Sequence, residues 1–142
     1  MYSFENFIFG ELSSMTNQPF TLEPLLAVSG DDPDFMVEIL TMFLDQVEIE
    51  VQRVKNLEEE KNWEEIRYTA HRLRSSAGSV GALKIASKCS ELERYILADN
   101  DIEKGVHLYV QNFIETCSTE VSEIKVAVAS LLNGSKEPSV DR

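Results

Sequence analysis

The residues best able to do chemistry in this chain lie in one short stretch, TAHRLRSSAGSVGA, at positions 69–82. This stretch contains His71, one of only two histidines, with arginines and very small residues beside it. An imidazole is the side chain whose ordinary pKa lies closest to neutral pH, so it can serve as a nucleophile there. Cations beside it would oppose its protonation and would stabilise an anion carried on the ring.

A helix over residues 63–79 would hold His71 away from the protein interior. At 100° per residue one narrow arc collects the apolar residues Ile66, Ala70, Leu73 and Ala77. His71 points about 130° away from that arc, and we therefore expect it to face solvent.

The neighbours of His71 on this face are either basic or small. They are Arg67, Tyr68, Arg74, Ser75 and Gly78. Glycine inside a helix costs about 1 kcal/mol relative to alanine, so its presence indicates that space is needed beside the imidazole. Space, a nucleophile and positive charge together predict a phosphorylation site. The alternative is an ordinary surface histidine, with the small residues serving close helix packing.

The longer stretch TAHRLRSSAGSVGALKIASKCSELE, at positions 69–93, resembles the signature of histidine-containing phosphotransfer (HPt) domains. The matching positions are His71, Leu73, Arg74, Ser75, Ser76, Ala77, Gly81, Ile85, Cys89, Leu92 and Glu93. Two positions depart from the commoner pattern, since Arg74 stands where lysine is usual and Ser75 where glycine is usual. The first change keeps the charge but alters the donor geometry, and the second keeps the residue small.

The resemblance implies a phosphorelay intermediate in two-component signalling. His71 would accept a phosphoryl group from a receiver-domain aspartate and pass it to another receiver aspartate. Arg74 would be the charge partner of the phosphoryl group, Ser75 and Gly78 would leave clearance, and Arg67 and Tyr68 would lie at the docking rim. The chain would be a phosphocarrier, without an ATP-binding domain or a cofactor of its own, and the receiver would supply Mg²⁺.

Apolar periodicity predicts an all-α fold, an antiparallel up-down four-helix bundle with a short extra N-terminal helix. The short helix is expected to open at Thr21, and the long helices to cover about 33–60, 63–79, 82–98 and 101–132. Asp32 followed by proline, and Asn62 followed by Glu65, are helix-start signals, whereas Gly134 is a plausible C-terminal cap. The bundle domain would occupy 20–133, between a leader at 1–19 and a disordered tail at 134–142, with a break at Asp99 and Asn100.

The composition narrows the classes of function. The net charge of −12 should repel nucleic acid and anionic membranes. No transmembrane run or signal peptide is recognisable, and the spacing of Cys89 and Cys117 fits no metal site. We therefore expect a cytoplasmic protein with buried, reduced thiols. The resemblance implies a monomer whose partners are receiver domains, and a dimer formed through the aromatic leader is the alternative.

Two apolar residues of the helix at 33–60 lie well off its core stripe. These are Met42 and Ile49. Exposed apolar side chains on one side of a helix often mark a contact surface, which here would be part of the receiver-docking patch. They could equally pack against the leader.

Other classes of protein use similar residues. A sensor-kinase dimerisation module would have an acidic residue after the histidine, where this chain has Arg72. A metal-binding bundle could use His107 four residues after Glu103, but repeated Glu-x-x-His partners are missing. A hydrolase would need an orienting acid or a nucleophile beside His71. A non-catalytic scaffold bundle is the main alternative, and it should tolerate glutamine at position 71.

Overall fold

Two long helices begin at the cap residues that the sequence predicts, Asp32 and Asn62. The protein was analysed as a computed structural model, which describes residues 19–98 and 101–136. The side chain of Asp32 accepts hydrogen bonds from the backbone N–H groups of Asp34 and Phe35, and Pro33 is the first helical residue. The side chain of Asn62 accepts from the N–H of Glu65 at 3.3 Å. Most of the predicted leader, the break at 99–100 and the tail beyond 136 lie outside the described residues.

The described residues form five helices and no strand. They are α1 (Glu23–Ser29), α2 (Pro33–Glu59), α3 (Trp63–Val80), α4 (Leu83–Leu97) and α5 (Ile102–Lys136). Each of the four long helices packs against two others, in the order α2, α3, α4, α5 and back to α2, and α1 packs on α2 and α3. The predicted all-α four-helix bundle with a short N-terminal helix is confirmed. None of the described helices combines the length and apolar character needed to span a membrane.

Two predicted helix ends are wrong. The first helix begins at Glu23 with Leu22 at its N-cap, so Thr21 does not open it. The last helix continues to Lys136, and Gly134 therefore lies inside it rather than capping it. Val128 and Leu131 pack against the core near this end of the helix, and the cost of one glycine, about 1 kcal/mol, is too small to end a helix by itself.

The apolar stripes meet in one core, with Leu40, Ile66, Leu73, Leu92 and Phe113 among its fully buried members. At the start of α4 the buried residue is Ala82 rather than Leu83, which is only partly covered. Cys89 and Cys117 are buried free thiols, as expected. Burial raises the pKa of both, that of Cys117 to about 12, so both thiols stay protonated at neutral pH.

Glu120 of α5 acts as the missing cap of α4. Ala82, the N-cap residue, has no side chain that can accept a hydrogen bond. Glu120 instead accepts the N–H of Ile85 at 2.8 Å and the N–H of Lys84 at 3.4 Å. Its side chain is only 1% exposed, and burial raises its pKa although these backbone hydrogen bonds oppose the shift. The carboxyl group of a residue far along the chain thus accepts hydrogen bonds from two backbone N–H groups that have no partner within α4.

The same end of the bundle anchors the segment that leads into α1. The backbone N–H of Phe20 donates to Glu123 at 3.0 Å, and Lys84 pairs with the same carboxylate at 2.8 Å. Gly81 ends α3 with φ +85°, and a Cβ there would lie 3.1 Å from Pro24. Only glycine combines this backbone conformation with such a close approach.

Candidate functional site

The α3 helix presents His71 on the outer surface of the bundle. Its buried face is formed by Ile66, Ala70, Leu73 and Ala77, which are all fully covered. The His71 side chain lies on the other side of the helix and is 51% exposed. The helix therefore holds an imidazole in solvent on a rigid backbone, as its period predicts.

A buried carboxylate orients this imidazole. Glu93 of α4 is 7% exposed, and its Oε2 lies 2.9 Å from Nδ1 of His71. An ionised carboxylate can only accept a hydrogen bond, so Nδ1 carries the hydrogen. In the neutral ring Nε2 then holds the lone pair, and a nucleophilic nitrogen is free to meet a partner.

Two arginines of α3 also reach Glu93. Arg74 Nη1 lies 3.6 Å from one carboxylate oxygen and Arg67 Nη1 lies 3.8 Å from the other. Arg67 additionally pairs with Glu64, and its guanidinium lies 4.6 Å from the centre of the Tyr68 ring. Both predicted cations therefore pair with the same carboxylate that contacts His71.

The face around His71 is open. Ser75 and Gly78 are exposed, and a Cβ built on Gly78 would meet nothing within 4 Å. Gly78 is therefore not required for helix packing within the bundle. The space that it leaves lies on the outer surface, two helical turns from His71 on the same face of α3.

On the α2 side of α3, a second buried carboxylate binds two further arginines. Glu50 is 7% exposed. Its carboxylate lies 3.0 Å from Nε of Arg53 and 3.8 Å from Nη2 of Arg72. Since Arg72 directly follows His71, this ion pair joins α2 to α3 beside the histidine.

The α2 helix also carries a line of exposed apolar side chains. Phe35, Met42 and Ile49 are spaced by seven residues, and Met42 and Ile49 are 66% and 61% exposed. Residues seven apart share a helix face. Whether Met42 and Ile49 contact a receiver stays a prediction.

The second histidine lies in a different environment. His107 Nδ1 lies 2.9 Å from Glu58 Oε2, and Glu103 pairs instead with Lys61 at 3.4 Å. Glu103 and His107 therefore each pair with a residue elsewhere in the chain rather than with one another. No group of three metal-ligating side chains occurs within residues 19–98 and 101–136.

The sequence did not assign a role to either buried glutamate. Glu93 belongs to the motif and Glu50 falls on the apolar stripe of α2, seven residues after Phe43 and three after Val47. A charged residue at a core position could have indicated a buried ion pair, because a buried charge needs a partner.

The fold and site define a helical bundle that presents one surface histidine, oriented by a carboxylate from the neighbouring helix. The family model of the Hpt domain matches residues 38–108, half of the chain, and includes His71, Glu50 and Glu93. The chain belongs to the Hpt domain family.

Two curated relatives are similar to part of the chain. The phosphorelay intermediate protein YPD1 of Candida albicans is 27% identical over 71 residues, which are 50% of this chain and 39% of that protein. Histidine-containing phosphotransfer protein 2 of Oryza sativa subsp. japonica is 29% identical over 91 residues, which are 59% of this chain and 61% of that protein. The chain thus matches less than two thirds of either relative's length. No solved structure gives a significant match.

Proposed function

We propose that this protein is a phosphorelay intermediate, a phosphocarrier that accepts a phosphoryl group on His71 from a receiver aspartate and passes it to another. The observation that carries this proposal is the 2.9 Å contact between Glu93 and Nδ1 of His71, which leaves Nε2 exposed as the nucleophile. The family and the printed names of both relatives support the same class of reaction.

In the transfer step Nε2 attacks the phosphorus of the aspartyl phosphate. The N–P bond forms as the bond from phosphorus to the aspartate oxygen breaks, and the aspartate leaves as a carboxylate. The imidazole ring gains positive charge while Nδ1 keeps its hydrogen, and Glu93 stabilises that charge through the bond already in place. Onward transfer to a second receiver is the same step in reverse.

The arginines have separate roles in this proposal. Arg74 is the charge partner of the phosphoryl group. In the unphosphorylated protein its Nη1 lies 3.6 Å from a carboxylate oxygen of Glu93. Arg67 is held by Glu64 and Glu93, so it and Tyr68 form a fixed docking rim. Ser75 and Gly78 leave room for the partner. The family resemblance implies that the receiver would supply Mg²⁺, and this ion would neutralise charge in a loose phosphoryl transition state. In this proposal the carrier acts as a monomer in the cytoplasm.

The test uses purified protein and a panel of receiver domains labelled on their aspartates. We expect label to move to the protein, to be lost in acid and kept in base, and to move on to a second receiver. Labelling by ATP alone would indicate a kinase instead. Transfer from none of the receivers would contradict the proposal and favour a scaffold bundle.

Replacing Glu93 should slow transfer without preventing folding. In Glu93→Ala the imidazole loses the acceptor that fixes its tautomer, and Arg67 and Arg74 lose their shared partner. We expect the transfer rate to fall about 10- to 100-fold, the range known for the loss of groups that orient metal-ligating histidines. Glu93→Gln should retain more activity, because its amide oxygen can still accept from Nδ1. Single-turnover rates with a labelled receiver measure the difference.

A control for this prediction is Glu91→Ala. Glu91 lies on the same helix but pairs with Lys88. Its loss should leave the rate unchanged. Equal rates for the wild type and Glu93→Ala would show that Glu93 does not orient the nucleophile.

A further inference from the structure

The buried carboxylate on the α2 side of the site has no part in the transfer chemistry. Glu50 is as deeply buried as Glu93, yet it contacts Arg53 and Arg72 and not the histidine. Two of the three arginines nearest in sequence to His71 pair with Glu93, and the third, Arg72, turns the other way, toward α2.

A charge at position 50 is unfavourable for packing alone. Glu50 occupies a place on the core stripe between Val47 and Val54, which are both buried. Well-packed apolar residues often stabilise a protein as much as, or more than, a buried ion pair at the same position. The arrangement therefore calls for an explanation other than stability.

The two arginines held by Glu50 are themselves open to a partner. The side chains of Arg53 and Arg72 are 49% and 50% exposed, so each guanidinium contacts Glu50 and still reaches the surface. Arg72 directly follows His71, and Arg53 lies one helical turn after Ile49, on a chain whose net charge is −12. Fixed positive charge beside the reactive histidine stands out against that background and favours an acidic partner surface.

We propose that Glu50 positions Arg72 and Arg53 as a basic docking edge that binds carboxylates of the receiver domain beside its phosphorylated aspartate. This inference rests on the phosphotransfer function proposed above. The docking edge, defined as Arg53 and Arg72, acts on encounter and binding. It does not touch the transferred group, so the chemical step is left to His71, Arg74 and Glu93.

The test compares KM and kcat for transfer from one labelled receiver, at low and at high salt. Arg72→Gln and Arg53→Gln should each raise KM, by up to about fivefold at low salt, which is the worth of an exposed ion pair. The kcat should stay unchanged, and the KM difference should shrink at high salt because mobile ions screen the interaction. A kcat effect with unchanged KM would overturn the proposal.

A matched control removes the same charge from the same helix. Lys55 is exposed on α2, about 140° round the helix from Glu50. Lys55→Gln lowers the overall positive charge equally but leaves the docking edge intact. An equal rise in KM for Lys55→Gln would show that only net charge matters, and would contradict a localised edge.

Glu50→Leu tests the positioning role. This variant leaves both arginines in the chain but removes the group that holds them, so KM should rise as in the arginine variants. The melting temperature should be unchanged or higher, because leucine suits a core position. A lower melting temperature with unchanged KM would assign Glu50 a purely structural role.

The outcomes separate this inference from the proposed function. If the wild type receives phosphoryl from receivers but the variants behave like Lys55→Gln, the docking edge is wrong and the phosphorelay function stands. If the wild type receives none from any receiver, both are wrong.

Discussion

His71→Gln is expected to accept no phosphoryl group from any receiver domain. Glutamine fills a similar volume and offers polar atoms to Glu93, so the surface around position 71 stays close to the native one. Its amide nitrogen has no available lone pair for attack on phosphorus, however, and no N–P bond can form. The measurement is transfer of label from a phosphorylated receiver, scored for loss in acid.

The matched control for this prediction is His107→Gln. His107 is the other histidine of the chain, and it also lies 2.9 Å from a glutamate, Glu58. Its replacement should leave transfer at the wild-type rate. Labelling of His71→Gln at a rate near that of the wild type would place the phosphoacceptor elsewhere. Loss of labelling in both variants would indicate damage to the fold, which the helical circular dichroism signal would reveal.

Glu120→Ala is expected to have the largest effect on stability. The variant loses the acceptor for the N–H groups of Lys84 and Ile85 and leaves a cavity where a fully covered side chain had been. An unsatisfied buried donor and a core cavity together should lower the free energy of unfolding by about 3 kcal/mol. Chemical denaturation followed by circular dichroism measures this loss. Glu115→Ala, an exposed change on the same helix, is the control and should be nearly neutral.

The stability contributed by Glu120 should also depend on pH. Burial raises its pKa above the ordinary value of 4.5, so the native protein takes up this proton more readily than the unfolded chain. The associated stability is present below the unfolded value and is lost as pH rises through the native value. Glu120→Gln cannot titrate at this position. The unfolding free energy of the wild type, relative to Glu120→Gln, should therefore fall as the pH rises above that ordinary value. A constant difference would show that the pKa of Glu120 is not raised.

The sequence by itself determined the helices and the exposed position of His71. Both follow from local rules, because cap residues such as Asp32 and Asn62 act within one turn and the helical period assigns each side chain to a face. Arg67 and Arg74 could be placed near the histidine for the same reason, since residues three and four apart are neighbours on a helix.

The end of the last helix was not determined locally. Gly134 is a reasonable stop signal, yet α5 continues through it to Lys136. Glycine inside a helix costs only about 1 kcal/mol, so one glycine does not by itself end a helix.

The contact partners of the buried carboxylates are set by the tertiary structure alone. Glu93 lies 22 residues from His71, Glu50 lies 22 residues before Arg72, and Glu120 lies 35 residues from Ile85. No local rule links residues so far apart on different helices. The sequence showed that a buried charge would need a partner, but only the packing of neighbouring helices chose which partner each carboxylate received.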